Sequence, residues 1–195
     1  AFRLPSESEL LLMLKQTATL YPGAVPKALC KYIIASSPLT HTNEAQVADH
    51  GAGYTNHEQR KTEVVFVSPL TPVGCLLQAH IRDANLRLGW NFDILGSEDI
   101  QIGRYHEGGH YDWHIDSFPP NENNLQRKLT AVLFLSDPDS FEGGDFELRA
   151  APDIPARPKQ GDIVVFPSVL EHRVTPVTAG ERYTAVSWMI GPAFR

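Results

Sequence analysis

The hydrophobic positions from residue 99 onward fall into short runs that are separated by turn residues. The runs are rich in β-branched and aromatic residues, and dipeptides such as Gly108-Gly109 and Pro119-Pro120 stand between them. We predict seven strands from this pattern, over residues 100–105, 111–115, 129–135, 146–149, 163–166, 173–176 and 183–190. Strands of this length and spacing are typical of an antiparallel sandwich or jelly roll, so the pattern predicts a mainly β core.

The residues before this core show helical periodicity. Thr71 and Pro72 open the clearest helix, and Pro at the first helical position is a common start signal. Its apolar positions form one stripe, made of Val73, Leu76, Leu77, His80, Ile81 and Ala84. We expect this helix to cover one sheet from outside, which gives an α+β chain with flanking helices and a site inside the roll.

Four further segments are predicted in the first third of the chain. A helix is expected over residues 26–35, and Ser6 with Glu9 three residues later forms a capping box that opens another helix. Residues 62–68 read as a strand. The polar stretch over residues 41–61 is predicted as a loop, and loops of this length often serve as lids.

The composition narrows the class of protein. The chain has 195 residues, of which 42% are hydrophobic, and this suits one domain over residues 1–195. We place its helical part at about residues 1–90 and its jelly-roll core at about residues 60–191. The net charge of −6, with no basic cluster, argues against a nucleic-acid partner. Two cysteines are too few for a disulfide framework or a cysteine-based zinc site.

We also expect no contact with a membrane. No apolar run reaches the length of a membrane span. The apolar residues 10–14 follow acidic residues, whereas a signal peptide carries basic residues at that place. We therefore expect a cytoplasmic protein.

Three residues have the spacing of a metal site. His114 and Asp116 lie two positions apart, and alternate residues of a strand point to the same face. His172 lies near the start of another predicted strand. Two histidines and one carboxylate form the facial triad of non-haem Fe(II) enzymes, which leaves coordination positions open. Arg182 follows on a later strand, where its guanidinium could hold a carboxylate with two parallel hydrogen bonds.

Four stretches carry a resemblance to a known family. They read RYHEGGHYDWHID at 104–116, RKLTAVLFLSDP at 127–138, FEGGDFEL at 141–148 and KQGDIVVFPSVLEHRVTPVTAGERYTAVSW at 159–188. In order and spacing they resemble the prolyl 4-hydroxylase-type Fe(II)/2-oxoglutarate-dependent dioxygenases. The resemblance is strong over residues 101–191 and extends in outline over residues 24–89. It implies a double-stranded β-helix, that is, a jelly-roll or cupin-like core.

The resemblance also implies cofactors and the residues that bind them. Fe(II) would bind His114, Asp116 and His172, with 2-oxoglutarate and O2 as co-substrates and ascorbate as reductant. The residues that the resemblance assigns to 2-oxoglutarate and the iron centre are Arg182, Tyr105, Thr130 and Trp188. The expected reaction hydroxylates a substrate while 2-oxoglutarate is decarboxylated to succinate and CO2.

The substrate expectation is a prolyl residue in a peptide or protein. Four residues are candidates for contacting it: Arg127, Arg60, Tyr111 and Trp113. Polar segments at about residues 50–61 and 117–126 flank the metal end, where specificity loops belong. Many peptidyl-prolyl 4-hydroxylases have Lys where this chain has Arg182, and many have His where it has Ile190. Arg182 and the stretch HRVTPVTAGER at 172–182 are closer to the bacterial and viral branch of the family.

Three alternatives remain at this point. The first is an oxygenase that acts on a free amino acid or another small molecule. The second is a non-catalytic jelly-roll binding module. The third is a hydrolytic zinc enzyme, although Glu171 would face away from its neighbour His172 on a strand and so could not serve as its general base.

Overall fold

A computed structural model describes residues 16–37, 43–44, 47–49, 52–54, 56 and 58–194. The helix predicted to open at Ser6 lies outside these residues. The described helices are α1 (Lys27–Ser36), α2 (Pro72–Arg87) and a 3-10 turn at Pro138–Ser140. The strands of the N-terminal half are β1 (Thr19–Tyr21), β2 (Asn43–Glu44), β3 (Val47–Asp49), β4 (Ala52–Tyr54), β5 (Arg60–Lys61), β6 (Glu63–Val67), β7 (Gly96–Ser97) and β8 (Ile100–Tyr105). The later strands are β9 (His110–His114), β10 (Leu125–Phe134), β11 (Phe141–Gly143), β12 (Phe146–Leu148), β13 (Ile163–Pro167), β14 (His172–Val174), β15 (Val177–Gly180) and β16 (Arg182–Pro192).

Two antiparallel sheets make up the core. The major sheet has eight strands in the order β1-β13-β10-β16-β8-β6-β2, with β7 also paired to β16. The minor sheet has the order β12-β14-β9-β5, and β11 with β15 forms a further pair. Strands that are distant in sequence are neighbours in both sheets, as a jelly roll requires. The predicted mainly β fold with flanking helices is confirmed.

Helix α2 forms where its sequence signals place it. The Thr71 side chain accepts a hydrogen bond from the backbone nitrogen of Gly74 at 3.3 Å and so caps the first turn. The side chains of Leu77, Ile81 and Ala84 are fully buried. They belong to the same apolar cluster as residues of the major sheet, so α2 covers the outer face of that sheet.

Alternation along β10 divides the apolar residues into two layers. Leu129, Ala131 and Leu133 pack in the outer cluster with the two helices. Val132 and Phe134 belong to a second cluster, on the opposite face of the sheet. The inside of the roll, where the predicted site residues lie, is therefore separated from the helices by the major sheet.

The structure departs from the predicted elements where strands are short. The loop predicted over residues 41–61 contains β2, β3, β4 and β5, each only two or three residues long. Strands β11 and β15 were not predicted either. Strands of this length contain too few positions for alternation to be recognised. Within the described ranges, neither helix has the length and apolar character needed to cross a membrane.

Candidate active site

Three side chains that could bind a metal ion, those of His114, Asp116 and His172, lie close together. They come from β9, from β14 and from the segment that follows β9. His114 and His172 are directly opposite each other in the β9–β14 pairing. Asp116 Oδ2 lies 3.5 Å from His172 Nε2, and Asp116 Oδ1 lies 3.8 Å from His114 Nε2. One ligand atom from each of the three residues lies within 4.8 Å of the others. The predicted triad is thus brought together, with the donor set that suits a non-haem iron.

The backbone fixes the direction of each ligand. His114 Nδ1 lies 2.7 Å from the Asp112 carbonyl oxygen, and His172 Nδ1 lies 3.1 Å from that of Leu170. A proton on each Nδ1 therefore donates to a carbonyl and leaves Nε2 as the metal-binding atom. Asp116 lies beyond the end of β9, so strand alternation alone does not bring it to the site. Its backbone nitrogen donates to the Ser168 carbonyl at 2.9 Å, which holds it beside the two imidazoles.

The surroundings shift the pKa values of His114 and Asp116 in the directions that favour metal binding. Burial, followed by repulsion from His172, lowers the pKa of His114 to about 3. Burial alone would raise the pKa of Asp116, but electrostatic attraction from the His172 and His114 rings and the Arg127 guanidinium outweighs it and lowers this pKa to about 2. At neutral pH, His114 is therefore a neutral imidazole and Asp116 is a carboxylate, which are the forms that bind a metal ion.

A cavity of about 170 Å³ opens beside the triad and contains a buried cation at its wall. Arg182 is only 2% exposed, and burial lowers its pKa. Neither Nη1 nor Nη2 of Arg182 has a hydrogen-bond partner among the described residues. Two buried, charged donors without partners indicate a place for an anion, and a carboxylate matches the fork of a guanidinium. The site thus fits the distal carboxylate of 2-oxoglutarate.

The walls near Arg182 come from strands β8 and β16. Tyr105 is the cross-strand partner of Arg182, and the guanidinium carbon lies 5.1 Å from the centre of its ring. Thr184 lies two residues after Arg182, is buried and also lines the cavity. Tyr105 therefore lies beside Arg182 at the cavity wall, and Thr184 provides a hydroxyl on the same strand face as Arg182.

Thr130 lies beside one of the three candidate ligands. Its hydroxyl donates to Asp116 Oδ2 at 2.8 Å and lies 2.9 Å from Ser168 Oγ. The single hydroxyl proton is therefore directed at the metal-ligand carboxylate, and Thr130 cannot also donate it to 2-oxoglutarate. The resemblance assigns Thr130 to the co-substrate and iron centre, and in this structure its hydroxyl contacts the Asp116 carboxylate.

The mouth of the cavity is formed partly by an aromatic–cation stack and an ion pair. The Arg127 guanidinium carbon lies 3.9 Å from the centre of the Trp188 ring system. Arg127 Nε and Nη2 donate to the two carboxylate oxygens of Glu98, at 2.9 and 2.5 Å. Both Arg127 and Trp188 line the cavity, as does Phe118. The charge of Arg127 is therefore neutralised within the chain.

A second stack lies against the metal ligands. The rings of Tyr111 and His114 are parallel to within 10°, with their centres 3.4 Å apart. The Arg60 guanidinium carbon lies 4.4 Å from the Tyr111 ring centre, and Arg60 Nη2 donates to Gln101 Oε1 at 3.0 Å. Burial raises the pKa of Tyr111 to about 12, so its hydroxyl stays protonated. Arg60 and Tyr111 both line the cavity.

Trp113, a candidate for contacting the substrate, is not among the described residues that line the cavity. Its ring lies between two arginines, 4.4 Å from the guanidinium carbon of Arg149 and 4.9 Å from that of Arg173. Arg149 forms an ion pair with Glu171, and Arg173 forms one with Glu147. Trp113 therefore belongs to a charged network outside the cavity.

Sequence reasoning missed three residues of the site. Thr184 could have been found, because Arg182, Thr184 and Trp188 follow one strand face. Ser168 and Glu98 are brought to the site by contacts between segments distant in sequence, and no local pattern identifies them.

Known proteins are similar to this chain over the segment that contains the cavity. Residues 100–190 match the family model described as the 2OG-Fe(II) oxygenase superfamily. A PKHD-type hydroxylase of Teredinibacter turnerae is 44% identical over 89 residues, which cover 44% of this chain and 39% of that protein. A PKHD-type hydroxylase of Acidovorax ebreus is 36% identical over 94 residues, which cover 46% of this chain and 41% of that protein. The chain thus matches less than half the length of these curated relatives.

Solved structures show the same fold. A viral collagen prolyl hydroxylase from Paramecium bursaria Chlorella virus-1 superposes with a TM-score of 0.69 at 19% identity, covering 91% of this chain and 97% of its own. A Pseudomonas putida prolyl-4-hydroxylase has a TM-score of 0.64 at 22% identity, covering 90% of this chain and 92% of its own. The predicted double-stranded β-helix is confirmed.

Proposed function

We propose that residues 100–190, which match the family model of the 2OG-Fe(II) oxygenase superfamily, form a domain of that superfamily, and that the protein is an Fe(II)- and 2-oxoglutarate-dependent dioxygenase that hydroxylates a prolyl residue in a peptide or protein. One observation carries the oxygenase part of the proposal. A triad of two histidines and an aspartate shares a cavity with a buried arginine whose Nη1 and Nη2 have no hydrogen-bond partner among the described side chains.

Separate groups of side chains would bind the iron and 2-oxoglutarate. His114, Asp116 and His172 would hold the iron, and Arg182, with Tyr105 and Thr184 beside it, would hold the distal carboxylate of 2-oxoglutarate. When bound, the iron supplies the oxidation, in which one oxygen atom of O2 enters the substrate as a hydroxyl and the other enters succinate as CO2 is lost from 2-oxoglutarate. The protein orients both co-substrates and excludes water from the cavity. Ascorbate would serve as the reductant that keeps the iron ferrous.

Two observations favour a prolyl residue within a peptide. Among similar solved structures are a viral collagen prolyl hydroxylase and a Trichoplax adhaerens prolyl hydroxylase in complex with a peptide fragment, the latter with a TM-score of 0.66 at 19% identity, covering 92% of this chain and 88% of its own. The mouth offers Trp188 as an apolar surface for a ring, and Glu98 already occupies the guanidinium of Arg127. A free amino acid would bring a carboxylate into competition with Glu98, whereas an internal peptide residue brings none.

The oxygenase part is tested by succinate release from 2-oxoglutarate with and without added Fe(II). We expect release that depends on iron in the wild type and is lost in Asp116→Ala and His172→Ala, since each variant removes a ligand. Circular dichroism of the variants checks that they remain folded. Iron-independent release, or full release by either variant, would overturn the proposed metal site. No release by the wild type with Fe(II) would overturn the oxygenase proposal and favour the binding-module or hydrolase alternative.

The substrate is tested separately. Proline-rich peptides and free L-proline are incubated with the protein, Fe(II), 2-oxoglutarate and ascorbate, and hydroxyproline is measured by mass spectrometry. We expect hydroxyproline in the peptides. Hydroxylation of free L-proline alone, with every peptide unmodified, would favour the small-molecule alternative and leave the oxygenase proposal intact.

A further inference from the structure

The carboxylate of Asp116 is tied to a buried hydroxyl. Thr130, which is fully buried on β10, donates to Asp116 Oδ2 at 2.8 Å. Because no solvent reaches Thr130, a water molecule cannot take its place if the hydroxyl is removed. The contact therefore restrains rotation of the carboxylate about its Cβ–Cγ bond in a way that solvent would not.

Ser168, which follows the end of β13, extends this restraint to the backbone. Its side-chain hydroxyl lies 2.9 Å from the Thr130 hydroxyl. Since Thr130 uses its proton on Asp116, the Ser168 hydroxyl is the donor in this second contact. The backbone carbonyl of Ser168 accepts from the nitrogens of Asp116 and Ser117, at 2.9 Å each. Ser168 therefore restrains Asp116 in two ways. Its carbonyl accepts directly from the Asp116 backbone nitrogen, and its hydroxyl contacts Thr130, which donates to the Asp116 carboxylate.

We propose that Thr130 and Ser168 are positioning residues for the metal ligand Asp116, and that the Thr130 hydroxyl sets the affinity of the site for its divalent cation. The inference rests on the proposed function, because it assumes that the triad binds a metal. A carboxylate that is already aligned loses less freedom when a cation binds, and a hydrogen-bonded ligand keeps one orientation. Removing such an outer contact typically weakens metal binding by about 10- to 100-fold.

The test measures metal binding directly and needs no turnover. Mn(II), which resists oxidation by air and accepts the same nitrogen and oxygen ligands, is titrated into the metal-free protein and followed by electron paramagnetic resonance. We expect Thr130→Val, which keeps the shape and removes the hydroxyl, to raise the Mn(II) dissociation constant by about 10- to 100-fold. Thr130→Ser, which retains the hydroxyl, should restore near wild-type binding. Ser168→Ala should weaken binding less than Thr130→Val, because it leaves the Thr130 donor in place.

The control is Thr19→Val, since Thr19 is also a buried threonine on a strand of the major sheet, and its hydroxyl accepts only from Arg87 at 3.2 Å among the contacts described. Thr19→Val should bind Mn(II) like the wild type. If Thr130→Val does not fold, Thr130→Cys replaces it, since a thiol is a weak donor of similar size.

Equal Mn(II) dissociation constants for the wild type and Thr130→Val would overturn the inference. So would a loss of affinity in Thr130→Ser as large as that in Thr130→Val, because it would point to packing and not to the hydroxyl. Failure of the wild type itself to bind Mn(II) would overturn the proposed metal site, and the two failures are therefore distinguishable.

Discussion

At the scale of single residues, Arg182 has the most unusual surroundings. A guanidinium remains charged in a protein, and burying it without a partner is costly. Arg182 is 2% exposed, with Phe134 and Tyr105 rings at 5.6 and 5.1 Å from its guanidinium carbon. The cost of burying such a group is offset when a bound anion accepts its hydrogen bonds. Substitution of Arg182 should therefore weaken binding of 2-oxoglutarate.

We predict that Arg182→Ala raises the 2-oxoglutarate concentration needed for half-maximal succinate release by about ten- to a hundredfold. The estimate follows from charged hydrogen bonds worth about 1.5–3 kcal/mol. Arg182→Lys should need a 2-oxoglutarate concentration between those of the wild type and Arg182→Ala, because an ammonium keeps the charge but cannot form two parallel hydrogen bonds. Arg157→Ala, at an exposed arginine paired with Asp145, is the control and should not change this concentration. An unchanged requirement in Arg182→Ala would mean that the co-substrate is held elsewhere.

Residue types and spacing allowed the convergence of His114, Asp116 and His172 to be predicted, because the donor set of non-haem iron is distinctive. Hydrogen-bond partners could not be predicted in the same way. Thr130 lies on the expected strand and close to the site, but the direction of its hydroxyl depends on Asp116, which a long-range contact with Ser168 positions. The position of Thr130 was therefore predictable, while its contact was not.

At the scale of elements, irregular pairing decides which residues reach the cavity. The β9–β14 pairing shifts register between His172 and Val174, so Tyr111 and His114, three positions apart, lie on one face. In a regular strand they would point to opposite faces. A β-bulge is local and leaves little trace in a single sequence. The bulge therefore brings Tyr111 to the cavity, whereas the Trp113 ring lies against Arg149 and Arg173.

This placement predicts that substitutions of Trp113 and Tyr111 affect metal binding differently. Trp113→Leu should leave the Mn(II) dissociation constant and the 2-oxoglutarate requirement unchanged, because Trp113 contacts only the outer network among the described residues. Tyr111→Leu should weaken Mn(II) binding, because its ring packs on His114 and restrains that ligand. Both constants are measured on proteins shown to be folded by circular dichroism. Weaker Mn(II) binding in Trp113→Leu than in Tyr111→Leu would contradict the assigned faces.

A second bulge lies in β10. The pairing with β16 shifts between Arg127 and Leu129, which makes Lys128 the extra residue. Arg127 thereby reaches Trp188 inside the roll, while the Lys128 ammonium lies 3.4 Å from the Phe194 ring centre. Lys128 is 4% exposed, and burial lowers its pKa from 10.5 to about 8. The bulge that places Arg127 at the cavity thus buries a lysine.

The buried lysine predicts a pH dependence of stability. Between pH 8 and 10.5 the unfolded chain holds the Lys128 proton and the folded chain releases it, so the free energy of unfolding rises with pH in this window. Lys128→Met lacks this contribution. The stability of Lys128→Met relative to the wild type, from urea unfolding at several pH values, should therefore fall as pH rises through the window. Lys159→Met, at an exposed lysine, should show no such trend, and parallel curves for Lys128→Met and the wild type would contradict the prediction.

At the scale of the whole molecule, the layer arrangement was predictable and the detailed sheet order was not. Long elements with clear periodicity, such as α2 and β16, could be predicted from the sequence. The order β12-β14-β9-β5 in the minor sheet joins segments distant in sequence, and its strand β5 is two residues long. Local periodicity does not report such pairings, since they depend on how the whole chain closes.

Two apolar clusters on opposite faces of the major sheet make stability and ligand binding separable. Leu77 belongs to the outer cluster with the helices, and Phe146 to the inner one, where it lines the cavity with its ring centre 6.0 Å from that of His172. Leu77→Ala should lower the free energy of unfolding by about 2–5 kcal/mol, and Phe146→Ala by about 3–5 kcal/mol. Only Phe146→Ala should also weaken binding of Mn(II) and 2-oxoglutarate, because the major sheet separates Leu77 from the cavity. Both variants are compared by urea unfolding and by ligand titration below their unfolding temperatures. A loss of ligand affinity in Leu77→Ala equal to that in Phe146→Ala would show that the outer layer also shapes the site.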